Sequence, residues 1–320
     1  MTQSLALVFP GQGSQQQGML RELAERYSVV RTTFDEASEA LGYDLWHVVQ
    51  EGPEDKLNST ACTQPALLAS SVAIWRVWQE LEGPRPAMMA GHSLGEYSAM
   101  VCGGALNFAE GVRLVRLRGE AMQEAVPEGV GAMAAILGLD DAVVEAACRD
   151  AAGSEVVAAV NYNSPGQVVI AGHRAAVDRA IVLCQDAGAK RALPLPVSVP
   201  SHCALMKPAA ERLEGAIAEL DIRLPRYAVY QNVNASVPAS VEALRQSLVE
   251  QLYRPVRWTD CVNAMYDNGA SVFIECGPGK VLTGLSKRIQ RQAKGLAVND
   301  PDTLVSALEL ARDALDVQEP

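Results

Sequence analysis

The chain has 320 residues, 49% of them hydrophobic and 20% charged. That balance describes a packed globular protein too long for one small core, so either a large domain with an insertion or two domains are expected. The net charge of −11 argues against a general nucleic-acid binder, whose affinity rests on cationic contacts to phosphates.

Leu5 to Phe9 is a short apolar strand candidate, followed by the glycine-rich turn Pro10-Gly11-Gln12-Gly13-Ser14. Helical spacing runs from about Gly18 to Leu41 and again from Pro65 to Leu81. Pro86 to Gly91 reads as a buried strand, and Leu94 to Gly103 as the start of a helix. Strands alternating with helices predict a mostly parallel sheet covered on both faces. The middle of the chain follows another order. Gly131 to Leu139 is a strand, Asp140 to Ala152 a helix and Val156 to Tyr162 a strand. Gln167 to Ala171 is a further strand, Ala175 to Ala187 a helix and Arg191 to Val197 a strand. The pattern β-α-β-β-α-β is ferredoxin-like and self-contained. It predicts a small inserted domain at 128–198 within an α/β core formed by residues 1–127 and 199–310. Helices at Ala204 to Glu219 and Val241 to Gln251, with strands near Ala228 to Val233 and Val272 to Glu275, return the chain to that core. The polar tail, 311–320, is expected to fray.

The apolar runs Ser4 to Phe9, Pro86 to Ala90 and Ser271 to Ile274 fall far short of the roughly 20 residues that cross a bilayer. No membrane span is expected, and no secretory signal is visible at the N-terminus. Seven cysteines without a C-x-x-C pair point to free thiols in a reducing cytoplasm, with neither disulfides nor a metal site.

Gly91-His92-Ser93-Leu94-Gly95 fits the G-x-S-x-G nucleophile elbow, in which a serine sits on a tight strand-to-helix turn. Glycines two positions either side tolerate the crowding. The following helix N-terminus offers backbone N–H groups to a developing oxyanion, the Leu94 amide first among them. Serine is a poor nucleophile without a neighbouring base, and the chain has four histidines. His92 adjoins Ser93 on the same turn, so its ring should point away. His47 lies in an amphipathic stretch as a half-buried structural residue, and His173 at a turn of the small domain. His202 remains, in Pro200-Ser201-His202, where the inserted domain hands the chain back to the core. A loop at such a junction faces a cleft. For the group that orients this histidine, Asp260, Gln251 or a backbone carbonyl near it are all open. Any docking surface for an anionic partner must be a local basic patch, either Lys190 and Arg191 or the run Lys287, Arg288, Arg291 and Lys294.

Seven ordered segments resemble the malonyl-CoA:acyl carrier protein transacylase family. They are Phe9-Pro10-Gly11-Gln12-Gly13-Ser14-Gln15, Thr63-Gln64-Pro65-Ala66, Gly91-His92-Ser93-Leu94-Gly95-Glu96 and Arg116-Leu117-Arg118-Gly119, then three more. Those are Asn161-Tyr162-Asn163-Ser164-Pro165-Gly166-Gln167, Val199-Pro200-Ser201-His202 and Glu275-Cys276-Gly277-Pro278. The resemblance implies a hydrolase-like core with a ferredoxin-like insert, agreeing with the order of elements. It implies that Ser93 carries the acyl group, that His202 is its base and that the Gln12 and Leu94 amides form the oxyanion hole. It further implies that a Gln251 carbonyl orients the histidine and that Arg118 pairs with the free carboxylate of malonyl. A planar guanidinium suits that last task through two parallel hydrogen bonds. Malonyl-CoA and acyl carrier protein are the implied substrates in fatty-acid synthesis, with a malonyl loader for polyketide synthesis or malonate decarboxylation, or a serine thioesterase or esterase on the same elbow, as alternatives. No motif calls for a metal or redox cofactor, and a monomer is expected. Gln231, before Asn232-Val233, and Cys276 depart from the family pattern, and both are expected to lie away from the chemistry.

Overall fold

The computed structural model describes residues 4–197 and 199–316. Its strands are β1 (Ser4–Phe9), β2 (Met88–Gly91), β3 (Gly131–Leu137), β4 (Val157–Ser164), β5 (Gln167–His173), β6 (Arg191–Pro194), β7 (Ala228–Tyr230), β8 (Ala270–Cys276) and β9 (Lys294–Val298). Five of them form a parallel sheet in the order β7-β2-β1-β8-β9. Strands β1 and β2 lie near its centre and are buried on both faces, which is why they read as unbroken apolar runs rather than alternating ones. Helix Thr60–Glu80 packs beside them and is buried along most of its length. Its apolar residues therefore surround the helix instead of marking one stripe.

The other four strands form an antiparallel sheet in the order β4-β5-β3-β6. With helices Asp141–Ala152 and Arg174–Asp186 inserted between its strands, this is the ferredoxin-like arrangement. The unit has its own apolar core, including Ile136, Val144, Val168, Ile170 and Val177. The opposite face of the sheet presents Met133, Val160, Val169 and Ala171 to Cys203 of the large domain. Strand β4 is also stitched to the large domain through its backbone. The Val256 amide donates to the Val160 carbonyl at 2.8 Å, and the Tyr162 amide to the Val256 carbonyl at 3.0 Å. Thr259 Oγ1 donates to the Tyr162 carbonyl at 3.0 Å. These bonds fix one wall of the cleft between the two units.

Three expectations change. The helix read from Pro65 begins at Thr60, with Pro65 inside it. Proline prefers the first turn, but burial of Thr60, Cys62, Thr63 and Gln64 outweighs that preference. The stretch Gly18 to Leu41 is two helices, Arg21–Arg26 and Ser28–Leu41, divided at the extended Tyr27. The tail does not fray at 311: helix Pro301–Asp316 runs through it, with Leu304, Ala307, Ala311 and Ala314 buried against the large core. Small buried alanines among charged residues gave that segment its polar look, and residues 317–320 lie outside the described residues. Replacing Ala311 by aspartate should accordingly lower the unfolding free energy by about 2 kcal/mol or more, measured in urea. A change within about 0.5 kcal/mol, as at an exposed site, would contradict this packing.

Candidate active site

Strand β2 ends at Gly91, and the chain turns through His92 and Ser93 into helix Leu94–Cys102. The turn is tight enough to demand its glycines. A Cβ on Gly91 would fall 1.8 Å from the Gly95 carbonyl carbon, and one on Gly95 would fall 2.0 Å from the Phe9 oxygen. Ser93 itself adopts φ 53° and ψ −110°, a costly backbone geometry for a residue with a Cβ. The result is a side chain thrust out at the carboxyl end of a parallel sheet, where open α/β folds place their ligands.

His202 reaches the same point from the loop that leaves the small domain, and it too has a positive φ, 64°. Its Nε2 lies 2.8 Å from Ser93 Oγ, and its Nδ1 lies 2.7 Å from the Gln251 carbonyl oxygen. A carbonyl can only accept, so Nδ1 carries the ring proton and Nε2 offers its lone pair to the serine hydroxyl. The imidazole is 3% exposed. Burial first, and then the positive charge of Arg118, hold its pKa down at about 3. It is therefore neutral at physiological pH and free to accept. Asp260, open as an alternative, instead faces Arg257 at 2.6 Å on the surface. The orienting group is the Gln251 backbone.

The remaining histidines sit elsewhere. His92 turns its Nε2 to Asn163 Oδ1 of the small domain at 2.8 Å. His173 Nδ1 accepts from the Val156 amide at 2.9 Å. His47 is exposed rather than half-buried. Cys203, next to His202, is buried, with its thiol directed to the Pro200 carbonyl at 3.1 Å. Burial pushes that thiol up to about 11, so it is inert at neutral pH.

Arg118 projects from helix Phe108–Glu124 into the same cleft and is 1% exposed. Its Nη2 donates to Ser93 Oγ at 3.2 Å and to Gln251 Oε1 at 2.9 Å, and its Nη1 donates to Gln64 Oε1 at 2.9 Å. Every one of these partners is neutral. Among the described residues Arg118 forms no ion pair, and its Nε has no acceptor at all. A buried guanidinium without a carboxylate is an unsettled charge. Gln12 and Leu94 line this cleft of about 540 Å³ together with Ser93, Arg118 and His202. They come together because Phe9 pairs with Gly91 in the sheet, so the loops leaving β1 and β2 start side by side. Neither amide has an acceptor among the described residues. Larger grooves open elsewhere on the surface, but none of them holds a hydroxyl beside an imidazole.

Gln64, Asn163 and Asn232 also contact the site's residues, although their sequence positions alone do not mark them out. A polar side chain inside an apolar helix, as Gln64 is between Thr63 and Pro65, was the available signal for the first. Gln231, expected to lie away from the chemistry, is fully buried and precedes Asn232, the residue that bonds the Ser93 amide.

The parallel core, the inserted small domain and this cleft define an acyltransferase. Residues 6–315 match the acyl transferase domain family, and the chain belongs to it. It is 59% identical over 310 residues to the malonyl CoA-acyl carrier protein transacylase of Escherichia coli K12, covering 97% of this chain and 100% of that one. The corresponding protein of Bacillus subtilis is 45% identical over 313 residues, 98% of each chain. Among solved structures, an acyl carrier protein S-malonyltransferase from Vibrio cholerae is 60% identical with a TM-score of 0.93, covering 95% of this chain and 99% of that one. A malonyl-transacylase in complex with its type II polyketide acyl-carrier protein is 57% identical with a TM-score of 0.95, covering 96% of this chain and 99% of that one.

The depressed His202 has a kinetic consequence. The rate at which a fluorophosphonate probe labels Ser93 should hold its plateau down through pH 6.5 to about 5, because the base stays unprotonated. A tenfold loss per pH unit beginning near 6.5 would mean an ordinary, solvated histidine.

Proposed function

We propose that this acyltransferase moves a malonyl group from coenzyme A to the phosphopantetheine thiol of acyl carrier protein, through an ester on Ser93, and so supplies fatty-acid synthesis. The observation that carries the malonyl assignment is Arg118. Its guanidinium is buried beside the serine hydroxyl with only neutral partners. A malonyl carboxylate supplies the missing anion and can take two parallel hydrogen bonds. An acyl group with an apolar end leaves the guanidinium uncompensated, at a cost of about 3–5 kcal/mol.

In the first half-reaction Ser93 Oγ attacks the thioester carbonyl carbon while its proton moves to His202 Nε2. The tetrahedral oxyanion forms against the Gln12 and Leu94 amides, which are already free to donate. Collapse breaks the carbon–sulfur bond. The coenzyme A thiolate leaves with the proton from His202, and the malonyl–serine ester remains. In the second half-reaction the carrier thiol gives its proton to His202 and attacks the ester. Ser93 recovers the proton as its bond to the acyl carbon breaks. Each proton and charge has a protein group to receive it, so the sequence runs without a metal or redox cofactor. Coenzyme A and the carrier are substrates.

Acceptor choice follows from the base. His202 leans on a carbonyl dipole rather than a carboxylate, so imidazolium is weakly stabilised. That suits a thiol, with a pKa near 8.5, better than water. The two basic groups support carrier docking on this otherwise acidic protein. Arg191 and Gln167 pair with Leu137 from opposite sides of β3, and Arg288 Nη1 donates to Gln167 Oε1 at 2.7 Å. Arg191 and Arg288, nearly a hundred positions apart, thus both lie near the Leu137 end of β3, where an anionic carrier can dock. A monomeric, cytoplasmic enzyme is part of this proposal. Separately, no helix among the described residues is long and apolar enough to cross a membrane.

Carrier loading should be assayed with malonyl-, methylmalonyl- and acetyl-CoA side by side. Malonyl should be the preferred donor, and loaded carrier should form faster than free malonate; faster malonate release would mean a hydrolase. Arg118→Ala should lose about 10²- to 4 × 10³-fold in malonyl transfer, the carboxylate cost expressed as a rate, while gaining relative activity toward acetyl-CoA. An unchanged acyl preference would remove Arg118 as the carboxylate clamp.

A further inference from the structure

Ser93 holds its unfavourable backbone geometry within a closed ring of buried hydrogen bonds that originates outside the elbow. Asn232 lies two residues beyond the end of β7, the strand that flanks β2 with Tyr230 paired to Ala90. Its side chain spans the turn. Nδ2 donates to the Gly91 carbonyl at 2.7 Å, and Oδ1 accepts from the Ser93 amide at 2.8 Å. Its own backbone amide donates to Glu96 Oε2 at 2.7 Å. Glu96 sits one turn into the helix that Ser93 begins, and its amide donates to the Ser93 carbonyl at 3.1 Å. That carbonyl also accepts from Gln251 Nε2 at 2.9 Å. Asn232 and Glu96 are both fully buried.

We propose that Asn232, held in place by Glu96, is a positioning residue that clamps the elbow so that the Ser93 hydroxyl stays aimed at His202 and the Leu94 amide stays free for the oxyanion. Two features support a task beyond stability. Asn232 Oδ1 takes the Ser93 amide, while the next amide along the chain, that of the cleft-lining Leu94, has no acceptor among the described residues. The ring also joins residues on both sides of the strained position, Gly91 before it and Glu96 after it, so its rupture releases φ and ψ of Ser93 together. Burial pushes the Glu96 carboxyl up to about 7. Its acceptor role does not need the charge, since either protonation state offers an oxygen to the Asn232 amide.

This inference rests on Ser93 being the nucleophile, and the test separates the two. The purified enzyme is reacted with a fluorophosphonate probe, recording both the labelled fraction and the second-order rate constant. Ser93→Ala should not label; labelling of that variant would overturn the nucleophile itself. With that established, Asn232→Ala should label to the extent that it is folded, but with a rate constant lower by about 10²-fold, the usual consequence of a reacting group displaced by an ångström. Malonyl-CoA turnover should fall in kcat with KM held within about threefold. A residue that only stabilised the fold would reduce the labelled fraction and leave the rate constant of the folded molecules untouched, and that result would overturn the proposal. Glu96→Gln and Glu96→Ala provide a second pair should Asn232→Ala not fold. Glutamine keeps the acceptor and should label within about threefold of wild type, whereas alanine should label at least tenfold more slowly. Equal rates for the two variants would overturn the strut.

Discussion

One hydrogen bond organises the cleft: the 2.8 Å contact between Ser93 Oγ and His202 Nε2. It has the right polarity only because the far side of the ring is committed. The Gln251 carbonyl accepts from Nδ1 at 2.7 Å, which forces the other nitrogen to be an acceptor. The serine hydroxyl in turn accepts from Arg118 while donating to His202, so its proton has one direction to go. Both partners occupy positive-φ backbone, and such strain persists only where surrounding structure over-determines it. The parallel sheet, the inserted domain and the backbone stitches between them bring two residues 109 positions apart to a fixed distance.

The electrostatics of the cleft are arranged around a charge that no carboxylate contacts, with the buried Glu96 acting on it only from a distance. Arg118 lowers the pKa of its neighbour His202 and finds no carboxylate in contact. On the proposed function, an arriving malonyl carboxylate would give the guanidinium a contacting partner and offset the positive charge that weakens the base, so that selectivity for a carboxylated acyl group would lie in reactivity as well as in binding. This differs from a hydrolase with an acid behind its histidine, where the base is strong whatever occupies the pocket.

Much of this was legible in the chain before any coordinates. Apolar runs bounded by glycine turns gave β1, β2 and the β-α-β-β-α-β insert, because fully buried parallel strands and a self-contained sandwich each leave a local pattern. Ser93 was legible from its flanking glycines, and His202 from elimination among four histidines. Other features were set by tertiary contact and left no local trace. Strand β9 begins at Lys294, which the sequence grouped with a basic surface run, and is recognisable only through its pairing with β8. The helix at 301–316 hides its buried face behind alanines. Arg118 could be told from Arg113 and Arg116 only by family resemblance, since helical spacing alone made it one solvated arginine among three. Asn232 offered less still: an asparagine after a short strand reads as a turn, and its work is done on residues 139 positions away.

The central claim is that the acyl group rests on the hydroxyl at position 93 between the two half-reactions. Mixing the enzyme with malonyl-CoA in the absence of carrier, quenching in acid and mapping the peptides by mass spectrometry reads this directly. The account predicts one malonyl group, on the peptide containing Ser93, which disappears when carrier protein is added before the quench. A malonyl group on Cys203 or any other residue, or an intermediate that the carrier fails to discharge, would contradict it.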